Sequence, residues 1–65
     1  MIKNTDPVLA VNVIAELGGT VNVARLLQIN KASVSAWKRK GIPRAREMYF
    51  RVAFPYLKAW NYKQA

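Results

Sequence analysis

Residues 20–37 read TVNVARLLQINKASVSAW, and this run decides the fold. It divides into two short helical segments joined by a tight turn. Val23, Ala24 and Leu27 lie on the inner side of the first, with Asn22 and Arg25 outside. Val34 and Trp37 place two large apolar groups three residues apart on the second. Two helices that cross steeply need a small side chain at the contact and apolar ones around it, and Ala24 fills that requirement. The pattern is that of a helix-turn-helix over residues 20–39, whose second helix is left free to enter a DNA major groove.

Asn30 is a good cap for that second helix, which runs from Lys31 to about Arg39 before Gly41-Ile42-Pro43 stops it. At about 100° per residue, Lys31, Ala32, Ser35, Ala36 and Arg39 fall within an arc of roughly 140°, with Val34 and Trp37 on the opposite side. One face is apolar and the other is small, polar and cationic. Small Ala32, Ser35 and Ala36 let the backbone sit deep in a groove, where an Ala methyl can touch a thymine methyl and Ser can meet several base edges. Lys31 suits a guanine edge or a phosphate equally. Lys38 and Lys40 flank this face, and Arg44 and Arg46 lie just beyond Pro43; all four are suited to phosphates. Asn22 and the amides near Thr20 stand where a helix dipole favours an anion.

Working outward, Asp6-Pro7 starts a helix with a stripe of Ala10, Val13, Ile14 and Leu17, and Gly18-Gly19 ends it. Thr20 is the expected cap of the next helix. After Pro43, residues 44–53 form a helix with Ala45, Met48, Tyr49 and Val52 on one side. Pro55 can open a last short helix through Trp60. The expected fold is all-α, a compact domain of four to five helices. The alternative is an α+β fold with a β-hairpin over residues 49–60, where aromatic and β-branched residues are dense. Phe54, Tyr56 and Trp60 either close the small core or supply a dimer contact, within a segment 44–60 that could serve dimerisation.

Composition narrows the function classes. Eleven Lys and Arg face three Asp and Glu, a net charge of +8 on 65 residues, which favours a polyanionic partner. Much of the excess lies between Lys31 and Arg51, with Glu47 alone opposing it. The chain has neither Cys nor His, and its carboxylates are scattered, so no disulfide, metal site, cofactor site or general acid–base pair is expected, and no enzyme activity or small-molecule substrate. No apolar run reaches the ~18–20 residues that span a bilayer, and residues 1–7 lack a secretory signal, so a cytoplasmic protein is expected. Gly18-Gly19, Pro43 and Pro55 break the long cationic helix that a membrane-surface peptide would need.

The run GTVNVARLLQINKASVSAWKRKGIPRAR, residues 19–46, resembles a phage Cro-type repressor of the lambdoid Cro and repressor helix-turn-helix superfamily. Val34-Ser35-x-Trp37 followed by Gly41-Ile42-Pro43 carries most of the likeness. The resemblance implies a small dimeric protein that binds operator DNA and represses transcription, in a bacterial host cytoplasm if the chain is phage-encoded. It implies base contacts from Lys31, Ala32, Ser35 and Ala36, with Ser33 a further candidate, and phosphate contacts from Thr20, Asn22, Lys38, Arg39 and Arg44. The family has Gly at the turn where this chain has Gln28, so either Gln28 takes left-handed geometry at some cost or the turn differs.

The leading expectation is therefore a sequence-specific repressor of double-stranded DNA, acting as a homodimer that can be weak off DNA, on a roughly palindromic operator. A non-specific or architectural DNA-binding protein and an antitoxin-like protein-binding helix-turn-helix are the alternatives.

Overall fold

Asp6 accepts the Val8 backbone N–H at 2.7 Å, and Pro7, which has no N–H to satisfy, takes the first helical position. The computed structural model describes residues 4–61. From this start α1 runs over Pro7–Glu16; α2 (Thr20–Leu27), α3 (Lys31–Lys40), α4 (Arg44–Ala53) and a short 3-10 helix at Lys58–Asn61 follow. The fold is all-α, with no strand among the described residues.

The glycine pair works as expected. Gly18 and Gly19, at φ +103° and +98°, return their N–H groups to the Ala15 and Ile14 carbonyls and bend the chain by 80° between α1 and α2. Gly19, not Thr20, is the N-cap of α2. Thr20 is the first helical residue, and its hydroxyl accepts from Lys38 Nζ instead. At the other end of α2, Gln28 takes the left-handed conformation (φ +57°, ψ +47°), and the Ile29 N–H reaches back to the Ala24 carbonyl. Asn30 then caps α3 by accepting the Ala32 N–H at 2.8 Å.

α1, α2 and α3 pack together around Leu9, Ala10, Val13, Ile14, Val23, Ala24, Val34 and Trp37. Ala24 is 4% exposed and Val34 fully buried, so both lie in the core that these helices share. α3 stops at Gly41, and Ile42 drops into the core. There the chain ahead of α1 clasps it. The Thr5 N–H donates to the Ile42 carbonyl, the Ile42 N–H donates to the Thr5 hydroxyl, each at 2.9 Å, and Asn4 reaches the Lys40 carbonyl.

α4 differs from its expected packing. The stripe of Ala45, Met48, Tyr49 and Val52 faces outward, and the buried residue is Phe50, whose ring meets Trp37 edge-on with centroids 6.5 Å apart. The hairpin alternative is overturned because α4 continues to Ala53, after which Leu57 and Ala59 turn into the core. No helix opens at Pro55 either; the chain turns there and enters the 3-10 helix at Lys58. Glu16 supplies the start of that helix, accepting the Lys58 and Ala59 N–H groups at 2.9 and 2.6 Å. No single helix among the described residues is long and apolar enough to cross a membrane.

Two glycines separate space from strain. A Cβ on Gly41 would collide with the Thr5 carbonyl oxygen, whereas one on Gly19 meets nothing within 4 Å. Both have positive φ, so Gly19→Ala should cost about 1–2 kcal/mol and Gly41→Ala clearly more, read as a lower urea midpoint. Gln28→Gly should raise stability by about 0.5–1 kcal/mol in the same assay, by removing a Cβ from a left-handed position.

Candidate nucleic-acid interface

Val34 and Trp37 hold the back of α3 against the core, so the opposite side of the helix is presented to solvent. Lys31, Ala32 and Ser33 are exposed there, Ser35 and Ala36 are partly exposed, and Lys38, Arg39 and Lys40 are exposed in the last turn. The outward arc thus consists of short side chains with a cation at each end. Cations in the last turn also complement the negative end of the helix dipole.

α2 lies beside this surface. Lys38 Nζ sits 3.3 Å from the Thr20 hydroxyl, which brings one α3 cation to the first turn of α2. The Thr20, Val21 and Asn22 N–H groups of that turn have no acceptor among the described residues. Asn22 is less free than expected, because its side-chain amide donates to the Leu17 carbonyl at the end of α1. The first turn of α4 is also open. Pro43 provides no side-chain cap, and Arg44, Ala45 and Arg46 are exposed, with no acceptor for their N–H groups among the described residues. α1 and α3, by contrast, are closed by Asp6 and Asn30.

The three carboxylates are all engaged elsewhere. Asp6 caps α1, Glu16 caps the 3-10 helix, and Glu47 pairs with Arg51 at 2.7 Å. Among the described residues no salt bridge reaches Lys31, Lys38, Arg39, Lys40, Arg44 or Arg46. Their field is therefore uncompensated and is available to an anion. Such a surface can hold phosphates through cations and backbone N–H groups, while the short side chains between them allow close approach of a groove floor.

The three aromatic residues of the expected dimer contact do not share one environment. Tyr56 is 73% exposed, Phe54 is half-buried between the rings of Phe50 and Tyr56, and Trp60 is half-buried. The Trp60 indole N–H donates to the Phe54 carbonyl, and Arg51 covers its ring at 4.4 Å. Sequence reasoning did not reach the open first turn of α4. Pro at an N-cap position, directly followed by Arg, is the signal that could have found it.

The two sides of α3 should respond differently to substitution. Val34→Ala should lower stability by about 2 kcal/mol, whereas Ala32→Ser should stay within ~0.5 kcal/mol, both by urea denaturation.

No family model, no curated protein and no solved structure matches the chain, so the geometry of α3 and its neighbours carries the functional reading.

Proposed function

We propose that the protein is a sequence-specific, double-stranded DNA-binding transcriptional repressor that acts as a dimer on a roughly palindromic operator. The observation that carries this reading is α3, whose Val34 and Trp37 are buried while Ala32, Ser35 and Ala36 lie between uncompensated cations. In this reading α3 enters the major groove. Lys31, Ala32, Ser33, Ser35 and Ala36 face base edges, and Thr20, Lys38, Arg39, Lys40 and Arg44 meet phosphates on either side. Asn22 contributes mainly by fixing the first turn of α2, since its amide is bound to Leu17. The resemblance to Cro-type repressors points the same way, and a cytoplasmic setting follows from the partner.

Phosphate contacts can dominate here, because the outward surface of α3 has no Asn or Gln to form a bidentate pair with adenine. That feature supports a second reading, a binder that reads charge and DNA shape without base preference. The specificity ratio separates the two readings; salt dependence does not, because both lose phosphate contacts as salt rises.

Selection from random duplexes followed by gel shift should recover a two-fold symmetric site, bound about 10³-fold or more above random DNA. Equal affinity for every duplex would remove the specific-repressor reading. On the selected site, Ser35→Ala or Lys31→Ala should relax preference at one or two positions, at about 1–3 kcal/mol. Arg39→Ala should weaken all sequences alike and reduce the salt slope by about 1.

A further inference from the structure

α4 is fastened to the body through Phe50 and turns its other apolar residues to solvent. Ala45, Met48, Tyr49 and Val52 share an arc of about 100° on that side. Met48 is 56% exposed, Tyr49 49% and Val52 82%. The rings of Tyr49 and Tyr56 each meet half-buried Phe54 nearly at right angles, so the apolar surface continues past the end of the helix.

Arginines border this stripe. By the same angular count Arg44 lies about 40° beyond Met48 at one edge, and Arg46 about 60° beyond Tyr49 at the other. Both are exposed, and no salt bridge reaches either among the described residues. The first turn of α4 has no side-chain cap, and the positive end of its helix dipole adds to their field. Glu47, the one carboxylate of α4, lies on the far side of the helix and is bound to Arg51.

We infer that this face docks an acidic amphipathic segment of another protein. The segment is a short helix whose apolar stripe lies along Met48, Tyr49 and Val52, while Asp or Glu at its edges meet Arg44 and Arg46. Charge complementarity selects this occupant. A second copy of the chain, at +8, would set arginine against arginine on this face. A nucleic acid would satisfy the arginines and leave Met48 and Val52 in water. Amphipathic helices enter a bilayer through Trp, Phe or Leu, and the stripe has none of these.

An exposed apolar patch with a charged rim is the mark of a protein contact, and a ridge spaced at i, i+3, i+4 and i+7 suits a partner helix of about three turns. The inference goes beyond the repressor reading and does not depend on it. Arg44 also belongs to that reading, so the docking is tested without DNA.

The probe is a fluorescent helical peptide of about 14 residues, with Leu at i, i+3, i+4 and i+7 and Glu on both sides of that stripe. Its control has the same composition in scrambled order. Binding is read by anisotropy in about 0.15 M salt, where exposed charges more than ~8 Å apart are largely screened. The ordered peptide should bind about tenfold tighter than the scrambled one. Val52→Ser should weaken it about tenfold, while Val8→Ser, the same change on exposed α1 surface, should leave it within about twofold. Arg46→Gln should weaken it about threefold, and Arg25→Gln, the same charge loss on α2, should leave it within about 1.5-fold. All four residues are exposed, so the fold survives each change, as the urea midpoint will register. Equal binding of the scrambled peptide, indifference to Val52→Ser, or equal losses from Arg46→Gln and Arg25→Gln would overturn the proposal and reduce the attraction to net charge. Self-association in sedimentation that Val52→Ser abolishes, in place of peptide binding, would give the face to a second copy. Binding to phosphatidylserine vesicles in place of the peptide would give it to a membrane, and either result overturns the proposal.

Discussion

The burial of Trp37 decides how the rest of the molecule is arranged. With Val34 it fixes which side of α3 faces inward, and through its edge contact with Phe50 it holds α4 to the body. Aromatic pairs of this geometry add about 0.5–1.5 kcal/mol beyond the area they bury. In a 65-residue chain, whose whole stability is roughly 3–10 kcal/mol, a single ring in that position has disproportionate weight. Rotating α3 by half a turn would bury Lys31 and Arg39 and expose an indole. The domain cannot accommodate that, so the outward surface of α3 is a consequence of its inward one.

The electrostatics follow from a shortage of acids. All three carboxylates are committed to the fold: Asp6 closes α1, Glu16 starts the 3-10 helix, and Glu47 holds Arg51 beside Trp60. None is left to screen the cations around α3. The positive field is therefore concentrated where the helix is exposed and beside the first turn of α2, whose N–H groups have no acceptor among the described residues. Charge and fold depend on each other here. Glu16 serves the fold from a place in sequence that gives no hint of it, 42 residues before Lys58.

The elements that local chemistry specifies are legible in the sequence. Asp6-Pro7, Gly18-Gly19 and Asn30 do what their side chains and backbone freedom predict, and the inward positions of α1, α2 and α3 follow their 3.6-residue period. What the sequence hides is set by distance. An apolar stripe on α4 reads as a buried face because periodicity reports that residues share a side, and says nothing of which side meets the core. Phe50, off the stripe, is buried because its ring packs against that of Trp37. Thr20 looks like a cap until a lysine eighteen residues later takes its hydroxyl. Asn22 looks free to face an anion, and the end of α1 claims its amide first.

The clasp between Thr5 and Ile42 has a practical meaning for anyone handling the protein. It ties the segment ahead of α1 to the exit of α3, with Asn4 reaching the Lys40 carbonyl. A change at Thr5, 37 residues from Ile42 in sequence, therefore acts first on the exit of α3 and on the turn that leads into α4. The 3-10 helix is held in the same manner by one side chain, Glu16 of α1, so the two stretches outside the four α-helices each depend on a single polar residue rather than on an apolar face.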